Sequence, residues 1–185
     1  MALRMLLPLF LDLDGRDVLV VGAGEIAARK VAELVNAKAR VRVVAPQVHP
    51  DIDAHAVVVH TRRFEERDLE GAWLVFAATD DADVQRAVAE ACEKAHVFCV
   101  AVDDPKNASA YGGGVVRRGP TTIAISTSGE APALARLLRE LIEEMLPEDD
   151  WLESARALRE RWKADGTPMG SRFAELVRAF KEKAR

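Results

Sequence analysis

Residues 18–30 read VLVVGAGEIAARK, and Gly22, Gly24 and Ala27 within them have the types and spacing that suit a pyrophosphate. A glycine at 22 permits a tight turn, a second at 24 lets the backbone approach a phosphate with no Cβ between them, and a small residue at 27 lets the next helix pack on the strand. A helix opening near Glu25 then presents its free N–H groups to the phosphates. The competing reading is a tight turn in an α/β domain that binds nothing. The context favours a nucleotide: an apolar strand precedes the glycines, and Ala27, Val31, Leu34 and Val35 fall on one face of the helix that follows. One part of the fingerprint is missing. An acid about 20 residues on, at the end of the second strand, would hold a ribose hydroxyl, but the chain reads Ala45-Pro46-Gln47 there. NAD and NADP are therefore not separated by these residues, and Arg40 and Arg42, inside the strand, need not reach a 2′-phosphate.

The elements that must position these residues alternate. Leu6 to Leu11 is apolar and ends at a turn signal, Asp14-Gly15, which predicts a short strand beside the first long one. Val41–Ala45, Val57–Thr61, Trp73–Ala77 and Val97–Val102 are the next strands, and Pro46 to Ala56 is a loop with at most a helical turn. Thr79-Asp80-Asp81 is an N-cap cluster for a helix whose buried face is Val84, Ala87, Val88 and Ala91. Strands alternating with helices predict a parallel sheet with its ligand at the carboxyl ends of the strands, here Gly22, Pro46, Thr79 and Asp103. After Asp104 the pattern changes. Val115-Val116 and Thr121 to Ser126 read as a hairpin around Arg118-Gly119-Pro120, and Ser126-Thr127-Ser128-Gly129 leads into a helix with Pro132 in its first turn. Leu134, Leu137, Leu138, Leu141, Ile142 and Met145 line one side of that helix, as either a core face or the seam of a dimer. Pro147 ends it. Two further amphipathic helices follow, carrying Trp151, Leu152, Ala155, Leu158 and Trp162, then Phe173, Leu176, Val177 and Phe180, separated by Asp165-Gly166-Thr167-Pro168.

The 185 residues suffice for one α/β domain and a smaller appendage. A formal net charge of −4 offers no basic stripe for nucleic acid, so an anionic small molecule would have to be met by local arginines. The apolar N-terminal run is followed by Asp12 and Asp14 rather than a small-residue cleavage site, and reads as neither a signal peptide nor a membrane span. Cys92 and Cys99 have no CxxC neighbour and are expected as reduced thiols in a cytoplasmic protein. His49, His55, His60 and His96 lack metal-site spacing, so no resident metal is expected.

Taken together, these pieces resemble the precorrin-2 dehydrogenase family, also linked to sirohydrochlorin ferrochelatase activity and found as the N-terminal region of siroheme synthases. The matching residues are Leu7-Pro8-Leu9-Phe10, Leu13-Asp14-Gly15-Arg16, Gly22 to Lys30, Ala77-Ala78-Thr79-Asp80, Val102-Asp103, Pro105-Lys106, Ile125-Ser126-Thr127 and Pro132 to Arg139. The resemblance implies an enzyme that oxidises precorrin-2 to sirohydrochlorin with NAD on the route to siroheme, with the coenzyme met by Gly22, Gly24, Glu25, Ile26, Pro46, Gln47 and Thr79. It makes Asp103 the essential aspartate. Dehydrogenation sends a hydride to nicotinamide and releases a proton, which a carboxylate at a strand end can help receive. By residue type alone Asp103 reads first as a turn-former before Asp104-Pro105, and it is the resemblance that reverses this preference.

Ser126, Thr127 and Ser128 read either as N-cap residues or as hydroxyls that meet a carboxylate at a helix start. The resemblance supplies a substrate rich in carboxylates, with Arg117, Arg118 and Arg136 able to add charge-assisted bonds. The chain departs from the family at Ala110-Tyr111-Gly112-Gly113-Gly114, where an aromatic followed by a proline and a small residue is usual; three glycines make a segment either floppy or very tight. No methyltransferase module follows, so methylation is expected from another polypeptide. Iron insertion stays open. The rival class is an NAD-binding regulatory module without turnover, which would not need the segment from Asp103 to Arg139. A short-chain oxidoreductase is disfavoured, since Tyr111, the only tyrosine, has Val115 four residues on. The expected architecture is α/β: a Rossmann-like NAD-binding domain over 1–105, a hairpin and long helix for dimerisation and substrate over 106–147, and a small helical domain over 148–185. The resemblance implies a homodimer.

Overall fold

Asp17–Val21 forms β1, and Val18, Leu19, Val20 and Val21 are all buried, as the continuous apolar run of a parallel strand covered on both faces requires. The computed structural model describes residues 5–53, 57–119, 121–146 and 151–183. After β1 come α1 (Glu25–Asn36), β2 (Arg40–Val44), a single helical turn α2 (Pro50–Asp53) and β3 (Val58–His60). A 3-10 turn at Glu66–Leu69 precedes β4 (Leu74–Ala77), α3 (Ala82–Ala95) and β5 (Phe98–Ala101). All five strands are parallel in the order β3-β2-β1-β4-β5, so the direction of winding reverses between β1 and β4. The two-residue period of β1 divides its side chains between two layers. Val18 and Val20 pack with Ala27, Val31 and Leu34 of α1, while Leu19 and Val21 pack with Val88, Ala91 and Cys92 of α3. Cys92 and Cys99 are both free and buried in that second layer.

The chain divides into two units after Gly112. In the second, β6 (Gly114–Arg118) pairs antiparallel with β7 (Thr121–Ile125), and α4 (Pro132–Met145) packs on both, with its proline at the helix start as expected. Two residues of the three-glycine segment are tightly placed, whereas Gly112 has open space where a Cβ would stand. A Cβ on Gly113 would stand 2.2 Å from the Ile125 carbonyl oxygen, and one on Gly114 would stand 3.3 Å from that of Ala135. The last two helices, α5 (Trp151–Asp165) and α6 (Met169–Lys183), pair with each other. Trp162 is buried between them and donates through Nε1 to Glu175 at 2.9 Å. In the first unit Trp73 remains exposed, with the Arg16 guanidinium 3.9 Å above its ring.

Several expectations change. Leu6 to Leu11 forms no strand: both edges of β1 are already occupied, by β2 and β4, and Leu7, Leu9, Phe10 and Leu11 stay exposed. The buried face of α3 is Gln85, Val88, Ala91 and Cys92, whereas Ala87 faces solvent. No residue of α4 is buried; Leu134, Leu137, Leu141 and Met145 are exposed, while Leu138 and Ile142 are half-buried, so the stripe is only partly covered within its own unit. Pro120, Pro147 and His55 lie outside the described residues. Among the described residues no helix is long and apolar enough to cross a membrane.

Candidate functional site

The turn after β1 is threaded between two neighbours. Gly22 donates its N–H to the Val44 carbonyl at 2.9 Å, and on the other side Ala78 donates to the Val21 carbonyl at 2.7 Å. Gly22 has φ +99°, and a Cβ there would lie 2.1 Å from the Ala78 carbonyl oxygen, so no side chain fits. Gly24 is different. It caps α1 with φ −79° and nothing lies within 4 Å of the place a Cβ would take, so its backbone faces open space. No side chain caps this helix end, which leaves the first N–H groups and the positive end of the helix dipole for a ligand.

These residues line one crevice of about 1110 Å³ at the carboxyl ends of β1, β2, β4 and β5, beside the point where the winding reverses. Gly22, Gly24, Glu25 and Ile26 form one wall, Pro46 and Gln47 another, and Thr79 and Asp103 complete it. His49 donates its N–H to the Ala23 carbonyl at 2.9 Å, which ties the segment after β2 to the glycine turn. Thr79 Oγ1 accepts from Asp81 N at 3.2 Å, and the Asp81 carboxylate accepts from Asp83 N and Val84 N to cap α3. Asp103 is exposed at the end of β5 in a left-handed conformation, φ +57°.

Among the described residues the crevice is lined by four acids, Glu25, Asp80, Asp81 and Asp103, and by neither lysine nor arginine. Arg40 is bound in a two-point pair to Asp17, at 2.6 and 3.1 Å, and Arg42 donates to the Glu70 carbonyl at 2.7 Å. Arg40 also holds the Asp17 carboxyl below its usual range. Neither arginine is among the residues that line the crevice. The lining fits a dinucleotide on two observations: a glycine turn that excludes a Cβ, and an uncapped helix start beside it.

The residues expected to meet the substrate belong to the second unit. Ser126 Oγ accepts from Ser128 N at 3.1 Å and Thr127 Oγ1 from Ala131 N at 3.4 Å. They are not the helix cap, which is Ala131; they build the turn ahead of it, with Ser128 at φ +54°. Arg117 is exposed on β6 opposite Thr122. Arg136 is exposed and pairs with Glu140 at 2.8 Å, holding that carboxyl below its usual range. An exposed pair of this kind contributes little, so a competing anion can displace it. Arg118 points inward, with one guanidinium nitrogen 3.3 Å from the Glu143 carbonyl. Sequence reading missed Gln85, a buried polar residue of the crevice lining whose Nε2 donates to the Val102 carbonyl at 2.8 Å. Its spacing from Val88 and Cys92, three and seven residues on, was the available signal.

A parallel sheet in this order, with a glycine turn at its central strand and an open helix start beside the winding reversal, defines a dinucleotide-binding α/β domain. The chain belongs to the family described as "putative NAD(P)-binding", whose model matches residues 9–114. A second model, described as "sirohaem biosynthesis protein central", matches residues 118–145. Siroheme synthase 3 of Aeromonas hydrophila subsp. hydrophila is 42% identical over 172 residues, which cover 90% of this chain and 37% of that protein. Siroheme synthase of Escherichia coli O157:H7 is 43% identical over 145 residues, 76% of this chain and 32% of that protein. The chain thus spans about a third of the length of these relatives. Among solved structures, "SirC, precorrin-2 dehydrogenase" matches with a TM-score of 0.75 and 25% identity over 94% of this chain and 88% of that one.

Proposed function

We propose that this protein oxidises precorrin-2 to sirohydrochlorin, with NAD as hydride acceptor. The observation that carries the reading is the convergence of Gly22, Gly24, the open start of α1 and Asp103 on one crevice. The solved precorrin-2 dehydrogenase supports it through a likeness that spans both units, and the siroheme synthases support it through identity over most of the chain. When bound, NAD supplies the acceptor for a hydride. The chain supplies the rest: the glycine turn and α1 bind the pyrophosphate, Pro46 and Gln47 border the ribose, and a lining that among the described residues carries four acids and neither lysine nor arginine disfavours a 2′-phosphate. The Asp103 carboxylate, exposed at its strand end, takes the proton that leaves the substrate. Ser126, Thr127, Ser128, Arg117 and Arg136 offer hydroxyls and positive charge for the substrate carboxylates.

The division of labour follows the chain: residues 1–105 for the coenzyme, 106–147 for substrate and self-association, 148–185 as a helical appendage. The exposed apolar residues of α4 support a homodimer joined along that helix. The decisive test is an anaerobic assay that generates precorrin-2 in situ and follows sirohydrochlorin absorbance with NAD present. The parent turns over, whereas Asp103→Asn binds NAD normally and loses at least about a hundredfold in kcat. A parent that binds NAD and forms no sirohydrochlorin would overturn the reading in favour of a regulatory module. Adding Fe²⁺ or Co²⁺ to the same mixture reads whether metal insertion follows.

A further inference from the structure

Gln85 has no part in the reaction as described, yet it is 7% exposed, polar and part of the crevice lining. Its Nε2 donates to the Val102 carbonyl at 2.8 Å and lies 3.4 Å from the Ala77 carbonyl. That second carbonyl also accepts from Val102 N at 3.0 Å. The end of β4, the end of β5 and the first turns of α3 therefore meet at one side-chain amide.

The Val102 carbonyl belongs to the peptide plane that leads into Asp103. Asp103 itself has φ +57°, a left-handed conformation that aspartate reaches more readily than most residues with a side chain but that neighbouring contacts must still hold. On the preceding side Gln85 pins the peptide plane. On the following side the Asp104 carboxylate accepts from Lys106 N at 3.1 Å and from Asn107 Nδ2 at 2.6 Å, which closes the next turn. The left-handed residue is held between two clamps, and one of them is a buried amide with a fixed donor.

We propose that Gln85 is a positioning residue: by fixing the Val102–Asp103 peptide plane it sets the direction in which the Asp103 carboxylate leaves the sheet. The proposal rests on Asp103 as the proton acceptor. An amide suits the task because its N–H group carries no charge and points at a carbonyl in a nearly dry place. A methionine fills similar space but holds nothing. A glutamate holds the carbonyl only when protonated, and burial favours that neutral form.

The test compares the full-length parent with Gln85→Met and Gln85→Glu. Three quantities are read: kcat and KM for precorrin-2, NAD affinity, and amide hydrogen exchange across residues 98–107. For Gln85→Met the expectation is a fall of about tenfold in kcat with NAD affinity within about twofold of the parent. Exchange quickens at Val102, whose N–H is bonded to the Ala77 carbonyl at 3.0 Å. For Gln85→Glu, kcat relative to the parent rises as pH falls from about 8 to about 6, as the carboxyl gains the proton that restores the donor. A residue that merely supported the fold would shift melting temperature, KM and NAD affinity together and show no such rescue. A Gln85→Met variant with parental kcat and parental exchange overturns the proposal. Should the parent fail to oxidise precorrin-2, the proposed reaction falls, and the exchange data still decide on Gln85: lost protection at Val102 in Gln85→Met supports it, kept protection refutes it.

Discussion

Replacing Gly22 by alanine, and separately Gly24 by alanine, perturbs two glycines only two residues apart with opposite expected outcomes. At Gly22 the new Cβ would stand 2.1 Å from the Ala78 carbonyl oxygen and 2.6 Å from its carbon, both backbone atoms, in a residue at φ +99°. A side chain at positive φ costs roughly 1–2 kcal/mol and a forced backbone shift roughly 1–3 kcal/mol more, so Gly22→Ala loses about 2–5 kcal/mol of stability. At Gly24 the protein presents nothing within 4 Å of the new Cβ, and φ −79° suits any residue. An alanine at a helix N-cap costs less than about 1 kcal/mol against glycine. The same Cβ would, however, stand between the backbone and a pyrophosphate. Gly24→Ala therefore unfolds in urea close to the parent and binds NAD at least about tenfold more weakly, or about 1.4 kcal/mol. Urea unfolding and an equilibrium NAD titration on both variants read the two effects separately. Parental NAD affinity in Gly24→Ala would refute the assignment of the turn to a pyrophosphate, and parental stability in Gly22→Ala would refute the close approach of β1 to Ala78.

Asp68 is buried, accepts from both Arg62 nitrogens at 2.8 and 2.5 Å and from Glu65 N at 2.9 Å, and Arg62 holds its carboxyl below the usual range. A folded pKa below the unfolded one means stabilisation that is complete above the unfolded value and fades as pH falls through the folded one. The cost of Asp68→Asn, about 2 kcal/mol near neutral pH, thus shrinks below about pH 4; a constant cost across urea melts from neutral to acid would contradict the pairing. Leu137→Glu places a charge on the exposed stripe of α4, and if the proposed homodimer joins there, sedimentation equilibrium shows a dimeric parent and a variant shifted toward monomer; a monomeric parent or an unchanged mass refutes that seam. Gly113→Ala, whose Cβ would meet the Ile125 carbonyl at 2.2 Å, destabilises the hairpin unit by about 1–3 kcal/mol, read by hydrogen exchange of β6 and β7.

How much of this was legible depended on whether the cause was local. The β1 turn and α1 could be read because an apolar run, two glycines and a helical stripe each act within a few residues. Asp81 as a cap and Pro132 at a helix start are local in the same sense. The strand proposed for Leu6 to Leu11 failed because strand formation needs a vacant edge, and sheet order decides that. Gln85 was passed over because polarity alone marks a helix residue as solvent-facing, while its burial depends on carbonyls that β4 and β5 bring from elsewhere in the chain. That Asp103 sits in a turn was legible from its place before Asp104-Pro105, whereas its left-handed φ, which depends on how β4, β5 and α3 meet, was not. The hydroxyls of Ser126 and Thr127 looked like caps by their proximity to Pro132, but the intervening turn leaves the capping position to Ala131.

The unequal surroundings of two tryptophans give the molecule an internal pair of optical labels. Trp73, exposed beneath Arg16, is expected to emit as a hydrated indole near a cation, and Trp162, enclosed in the α5–α6 pair and bonded to Glu175, further toward the blue. One colour belongs to the coenzyme unit and the other to the helical end of the chain. With Trp151 changed to phenylalanine, a single emission spectrum recorded during denaturation separates the loss of one from the loss of the other.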